Sequence, residues 1–237
     1  MTSFIAACKE LLFPAFCLAC GRQLSSWRLP LLCSDCGAEV SFVRPPICSC
    51  CGLPLNCGPD HLCGNCLTKT FAFDRARAAL LYREPVISLI HSLKFGGQLT
   101  GLSTMAALAR DAAGYRDLTA PDLILPVPLH PQRLRERGFN QALLLARSCF
   151  PEQSRIINVD LLVRRRATVP QTRLSGKERR RNLAAAFTVT RPGLLKNKRI
   201  LLIDDVFTTG STVHECAATL RRTGAASIEI FTLARAL

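Results

Sequence analysis

Apolar positions change their spacing repeatedly along the chain, and the changes mark its elements. Phe71, Phe73 and the run from Ala76 to Tyr82 predict one or two strands. Val86, Leu89, Ile90 and Leu93 then recur at helical spacing until Gly96-Gly97 interrupts them, and Gln98 to Tyr115 predicts a second helix with Gly114 at its end. Asp122 to Val127 reads as a strand entering a proline-stiffened loop, and Asn140 as the cap of the next helix. Leu161–Arg164, Ala184–Val189, Arg199–Ile203 and Ile228–Leu233 are further strand-like runs, while Val213, Ala217 and Leu220 return to helical spacing. Strands alternating with helices predict a mainly parallel α/β sheet flanked by helices, with ligands bound beyond the carboxyl ends of its strands.

The first 67 residues follow neither period. Thr2 or Ser3 is expected to cap a short helix reaching about Leu12, where Pro14 stops it. Two Cys-x-x-Cys knuckles follow, Cys17/Cys20 and Cys33/Cys36, each succeeded by Gly. A second set repeats the plan with Cys48/Cys51 and Cys63/Cys66. Four thiolates at this spacing converge tetrahedrally on Zn²⁺, so two structural zinc sites are predicted. Cys50 offers an alternative to Cys48 or Cys51, although the two-residue spacing favours the outer pair. Cys57 is surplus, His61 lies close by, and Cys149 and Cys216 read as core thiols. A segment of this size builds little core of its own, and metal supplies the missing folding energy.

Charge changes the picture in one place. The chain of 237 residues carries a net charge of +14, and residues 130–199 hold seventeen Lys/Arg against four acids. The cysteine-rich head is balanced, so it lacks the phosphate footprint of a stand-alone DNA reader, which favours a staple or a protein-docking module. The first twenty residues lack a basic start and a cleavage site, so no signal peptide is expected, nor any membrane span, and thiol-rich metal sites fit a reduced, cytoplasmic setting. Arg133, Arg135 and Arg137 are expected on a loop ahead of the Asn140 helix, with Arg133 and Arg137 reaching phosphate oxygens; His130 is a proton donor or a loop support. Arg165–Arg181 reads as a basic lid, which could also track a single-stranded nucleic acid. His91 and Lys94 read as a solvated helix edge.

The most informative stretch is Lys198–Thr212, KRILLIDDVFTTGST. A short buried strand delivers Asp204 and Asp205, and the small residues Thr208, Thr209, Gly210, Ser211 and Thr212 turn directly into a helix. A helix N-terminus favours phosphate, and paired carboxylates hold vicinal hydroxyls directly or through Mg²⁺. Together they describe a seat for a ribose 5-phosphate.

This stretch resembles the 5-phosphoribosyl-1-pyrophosphate (PRPP) signature of type I phosphoribosyltransferases. The resemblance implies that Asp204 and Asp205 face the ribose hydroxyls, that Thr208–Thr212 cradle the 5-phosphate, and that Arg133 and Arg137 grip the pyrophosphate. With the double Cys₄ head, PVPLHPQRLRERGFNQ and the basic segment, residues 15–237 resemble the ComF/GntX family, a double zinc ribbon (here 1–67) fused to a phosphoribosyltransferase-like domain (68–237). Membership implies a part in DNA uptake or in using DNA as a nutrient, with zinc, Mg²⁺ and PRPP as ligands and a competence protein as partner. It leaves open a single-stranded-DNA accessory factor whose PRPP-like pocket is not catalytic. Two departures matter. Purine salvage enzymes of the hypoxanthine type place an Asp general base where this chain has Thr208, and a Thr hydroxyl is no base at neutral pH. The chain also runs only about 25 residues past the turn, so an acceptor pocket must come from residues 68–100 or from the zinc head.

Overall fold

The computed structural model describes residues 14–26, 28–96, 99–166 and 186–237. The expected amino-terminal helix and most of the basic lid, including Arg173–Arg181, lie outside them. Four strands form one parallel sheet: β1 (Arg75–Leu81), β2 (Leu123–Pro126), β5 (Arg199–Phe207) and β6 (Ser227–Arg235), in the order β1-β6-β5-β2. Two short strands, β3 (Leu162–Arg164) and β4 (Phe187–Val189), pair antiparallel beside it.

Period-two alternation assigns the faces of the sheet. Ile200 and Leu202 of β5 and Ile228 and Ile230 of β6 are buried with α8 (Ser211–Arg221) and the β3–β4 pair. Leu201 and Ile203, with Phe231 and Leu233, are buried on the other face with α3 (Val86–Gly96), α4 (Gly101–Asp111) and α7 (Gln141–Cys149). Both faces are covered, as a parallel sheet requires, and each fully buried Leu or Ile contributes about 1.5–3 kcal/mol relative to exposure. Cys149 and Cys216 are buried in these two cores as expected.

Three local expectations change. The helix expected over Gln98–Tyr115 breaks at Ala112, whose ψ of 142° is extended, giving α4 and the short α5 (Ala113–Arg116), so Gly114 lies inside a helix. Arg133, Arg135 and Arg137 stand on a helix, α6 (Pro131–Arg137), which ends on Gly138 at φ 80°; Pro131 at its first turn supplied the missed signal. Strand β5 continues past both acids, because Val206 and Phe207 pair with Ala234 and Arg235 of β6.

Among its described residues the cysteine head has two short helices, α1 (Ser34–Glu39) and α2 (Gly64–Thr68), with Cys33 and Cys63 at their N-caps. It lies along the open edge of β1. Leu81 N–H donates to Ser41 C=O, Val43 N–H to Ala79 C=O and Ala76 N–H to Cys50 C=O, at 2.7, 3.0 and 2.6 Å. A sheet edge that would otherwise face solvent is thereby paired. Among the described residues, no helix is long and apolar enough to cross a membrane.

Candidate active site

The carboxyl ends of β5 and β6 converge on one region, and the turn Thr208–Thr212 leaves it. Gly210 is the pivot of that turn. It sits at φ 72°, and a Cβ there would lie 2.5 Å from the Phe207 ring, so only glycine fits. Thr209 and Ser211 hydroxyls are 2.8 Å apart, which narrows the turn. Gly210 stands at the N-cap of α8 without a side-chain cap, leaving the helix entrance to whatever anion meets it. Thr208 and Thr209 are exposed, Thr212 is half-buried, and Gly210 and Ser211 are buried.

Asp204 and Asp205 are consecutive in a strand, so their Cβ atoms leave opposite faces, yet at the strand's carboxyl end the two carboxyls act directly on one another. Asp204 Oδ1 accepts from the Asp205 N–H at 2.9 Å, and Asp205 Oδ1 from the Val206 N–H at 2.8 Å. On the far face, Lys94 Nζ meets Asp205 Oδ2 at 2.5 Å. Lys94 therefore belongs to the site and is not a solvated edge. The signal was present in its position four residues after buried Ile90, one helical turn along the same face. Asp204 has no such ion pair among the described residues. Its enclosure, and next the neighbouring Asp205, push its carboxyl upward to about 7. A cation beside Asp204 would reverse that shift. The donor set, two adjacent carboxylates with one positive charge already supplied by Lys94, fits Mg²⁺ held jointly with substrate oxygens.

The basic residues divide. Arg137 is half-buried, its Nη1 donates to Gln141 Oε1 at 2.6 Å, and burial lowers its pKa while Asp205 opposes that effect. Arg133 and Arg135 are exposed on α6. His130 Nδ1 accepts from the Gln132 N–H at 3.3 Å, so its role here is to cap α6. Arg164, at the end of β3, lies 5.5 Å over the Phe187 ring; burial lowers its pKa and Asp204 is among the charges that act on it. It is a second site-facing cation that spacing alone does not reveal.

The predicted metal ligands gather into two separate groups. The sulfurs of Cys17, Cys20, Cys33 and Cys36 lie within 4.8 Å of one another, and so do those of Cys48, Cys51, Cys63 and Cys66. Cys20–Cys33 and Cys51–Cys63 are each 3.7 Å apart. A Zn–S distance of about 2.3 Å in a tetrahedron spaces sulfurs by about 3.8 Å, so both groups fit zinc. Cys50 stays outside the second group. Burial opposes ionisation of Cys17 and Cys48, but backbone N–H groups of neighbouring cysteines outweigh it and lower both thiols to about 6. These amides stabilise thiolate charge, as a metal site requires.

One residue joins the second group to the turn. Arg235, buried at the end of β6, donates from Nη1 to the Phe207 and Thr208 carbonyls at 3.1 and 2.8 Å, and its Nη2 lies 3.7 Å from Cys51 Sγ. Its guanidinium stacks 4.3 Å from the Phe207 ring centroid. Sequence spacing gave no hint of this contact, because 184 residues separate its ends.

Comparison with known proteins agrees with this architecture. Residues 8–67 match the family described as double zinc ribbon domain, and residues 158–237 match the phosphoribosyl transferase domain. Competence protein F of Haemophilus influenzae is 38% identical over 214 residues, covering 86% of this chain and 90% of its own length. DNA utilization protein YhgH of Escherichia coli K12 is 36% identical over 238 residues, covering 94% and 98%. Competence protein ComFC of Bacillus subtilis is 28% identical over 241 residues, covering 92% and 94%. With two Cys₄ groups ahead of a parallel α/β sheet and this similarity along nearly its whole length, the chain belongs to the ComF family of competence and DNA-utilisation proteins, a double zinc ribbon joined to a phosphoribosyltransferase-like domain.

Proposed function

We propose that this protein binds PRPP with Mg²⁺ at the β5–α8 turn and transfers its phosphoribosyl group to a nitrogen acceptor, serving DNA uptake or the use of DNA as a nutrient in the cytoplasm. The observation that carries this reading is the direct succession of two carboxylates, a Gly210-pinned turn and an uncapped helix entrance. The family context of competence and DNA utilisation supports the biological setting.

In this reading the entrance of α8 and the Thr208–Thr212 amides and hydroxyls hold the 5-phosphate. Asp204 accepts from one ribose hydroxyl, and Asp205, fixed by Lys94, accepts from the neighbouring one at the carboxyl end of the strand. Arg133 and Arg137 take pyrophosphate oxygens. Mg²⁺, held by these acids together with substrate oxygens, would supply further neutralisation of the pyrophosphate charge. The acceptor nitrogen bonds to the anomeric carbon as the carbon–oxygen bond to pyrophosphate breaks, and pyrophosphate departs with the electron pair. Thr208 offers no base, so the acceptor proton passes to water or is absent from an already ionised acceptor. Calorimetry with PRPP and Mg²⁺ tests the first half: wild type should bind and Asp204→Ala/Asp205→Ala should not. Pyrophosphate release across nucleobases, amines and DNA tests the second; wild type that binds no PRPP at millimolar concentration contradicts the proposal.

A second reading rests on the positive charge of residues 130–199: the protein binds single-stranded DNA, or a competence protein, and its PRPP pocket is not catalytic. Strand binding should then weaken steeply with salt, and neutralising Arg179, Arg180 and Arg181 should flatten that slope. An unchanged slope removes the basic segment from the interaction.

A further inference from the structure

A cleft of about 460 Å³ lies between the second zinc group and the turn. It opens beyond the carboxyl ends of β5 and β6, where ligands of parallel sheets bind, and Thr208 and Thr209 belong both to its wall and to the turn. Resting on the phosphoribosyl reading above, we propose that this cleft is the acceptor site, that the second zinc ribbon is its hood, and that it takes a flat, carbonyl-bearing nitrogen heterocycle, an oxopurine or oxopyrimidine base.

The lining selects this class. Leu53, Phe71 and Phe207 give apolar walls, and the volume is that of an ordinary small-molecule pocket. Phe71 is held in place from both sides: it stacks on Phe73 at 4.7 Å, and the Ala72 N–H beside it donates to His214 Nδ1 at 3.1 Å. The polar groups are mainly donors. Lys69 Nζ stands 4.4 Å from the Phe71 ring centroid, Asn65 is exposed at the rim, and Thr208 and Thr209 are exposed, the Thr209 hydroxyl being shared with Ser211. Arg235 is only 6% exposed, and its Nε has no hydrogen-bond partner among the described residues. Among the described residues, no Asp or Glu side chain lines the cleft. A donor-rich pocket selects a ligand rich in carbonyl and ring-nitrogen acceptors. The zinc-bound thiolates of Cys51 and Cys66 beside it disfavour an acidic ring, so the ligand is neutral. A free base and a base presented by single-stranded DNA share this chemistry.

The test uses the full zinc-loaded chain. Binding of hypoxanthine, guanine, uracil and thymine is measured by calorimetry with and without PRPP and Mg²⁺. A short oligodeoxythymidylate and an abasic strand of equal length form the second arm. Lys69→Ala and Asn65→Ala carry the comparison, with zinc content as the check on folding. Loss of a hydrogen bond to a charged donor weakens binding by about 10- to 100-fold, so free-base affinity should fall by about tenfold or more in Lys69→Ala while PRPP affinity stays unchanged. The same loss for the oligodeoxythymidylate but not the abasic strand identifies a strand-borne base and supports the site equally. Absence of binding by every base and by the oligodeoxythymidylate, in either condition, overturns the inference, as does binding that both variants leave intact. PRPP is titrated separately, so base binding without PRPP binding sinks only the phosphoribosyl reading, and the reverse result sinks only this one.

Discussion

The two zinc ribbons share one sequence plan and occupy different positions in the molecule. In the first, Cys17 and Cys33 are buried but Cys20 is exposed, and Arg22 and Asp35 form an ion pair in solvent. Its ties to the sheet domain are Leu31 N–H to Thr104 Oγ1 at 2.9 Å and the packing of Leu18, Leu32 and Val40 on the core of α3 and α4. In the second, Cys48, Cys51 and Cys63 are buried in the same core as Ile200, Leu202 and Ile230, and Cys51 touches Arg235. Near-identical ligand spacing therefore says nothing about mechanical role. The first packs on the core away from the turn; the second is part of the wall around it.

Breaking a ligand in each should separate them most sharply. Cys51→Ser should lose one zinc, lower the melting temperature of the whole protein and abolish PRPP binding. Cys20→Ser should also lose one zinc, yet keep the sheet domain folded and PRPP affinity intact. Structural zinc contributes about 10–16 kcal/mol in isolated fingers, so neither change is subtle, and metal analysis with thermal melting reads both. Equal damage from the two variants would erase the distinction.

Arg235→Met comes next. It leaves the Phe207 and Thr208 carbonyls without their donor, at about 3 kcal/mol for hydrogen bonds to a charged group, and denaturant unfolding should show that loss. PRPP affinity should fall with it, with both zinc ions retained. A smaller contrast uses the matched glycines that follow each first knuckle. Gly21 and Gly52 sit at φ 74° and 66°, but a Cβ on Gly52 would lie 2.6 Å from the Ala76 carbonyl oxygen, whereas one on Gly21 meets nothing within 4 Å. Gly21→Ala should cost about 1 kcal/mol from backbone strain alone, and Gly52→Ala should cost more because backbone must move.

The smallest effect is a pH dependence at the turn. The Asp204 carboxyl has a native pKa raised above its unfolded value, so the folded state binds that proton more tightly. Between the ordinary carboxylate range and about 7 its contribution to stability falls as pH rises. Asp204→Asn should remove that slope and melt slightly higher than wild type near neutral pH without ligand. A slope unchanged in the variant assigns the titration to another group.

The sequence carried the sheet, the two cysteine groups and the acid–turn–helix succession, since each depends on residues close together in the chain. Asn140 and the Asp204–Thr212 turn could be placed for the same reason. What stayed hidden depends on distant contacts. The helix face of Lys94 was legible but its partner Asp205, 111 positions away, was not, and Arg235 reaches Cys51 only after the head has folded onto β1. The Ala112 break was equally hidden, because Ala favours helix locally and packing against β1 overrides it. Arg133 and Arg137 were placed in the right segment but on a loop, because the basic run obscured a helix that Pro131 begins.

The most direct test of the central claim is a crystal structure of the zinc-loaded protein with PRPP and Mg²⁺. The account predicts the 5-phosphate within hydrogen-bonding distance of the backbone N–H groups of residues 210–212, with the ribose hydroxyls turned toward Asp204 and Asp205. Density for PRPP elsewhere, with the turn unoccupied and Lys94 still closing Asp205, would contradict it.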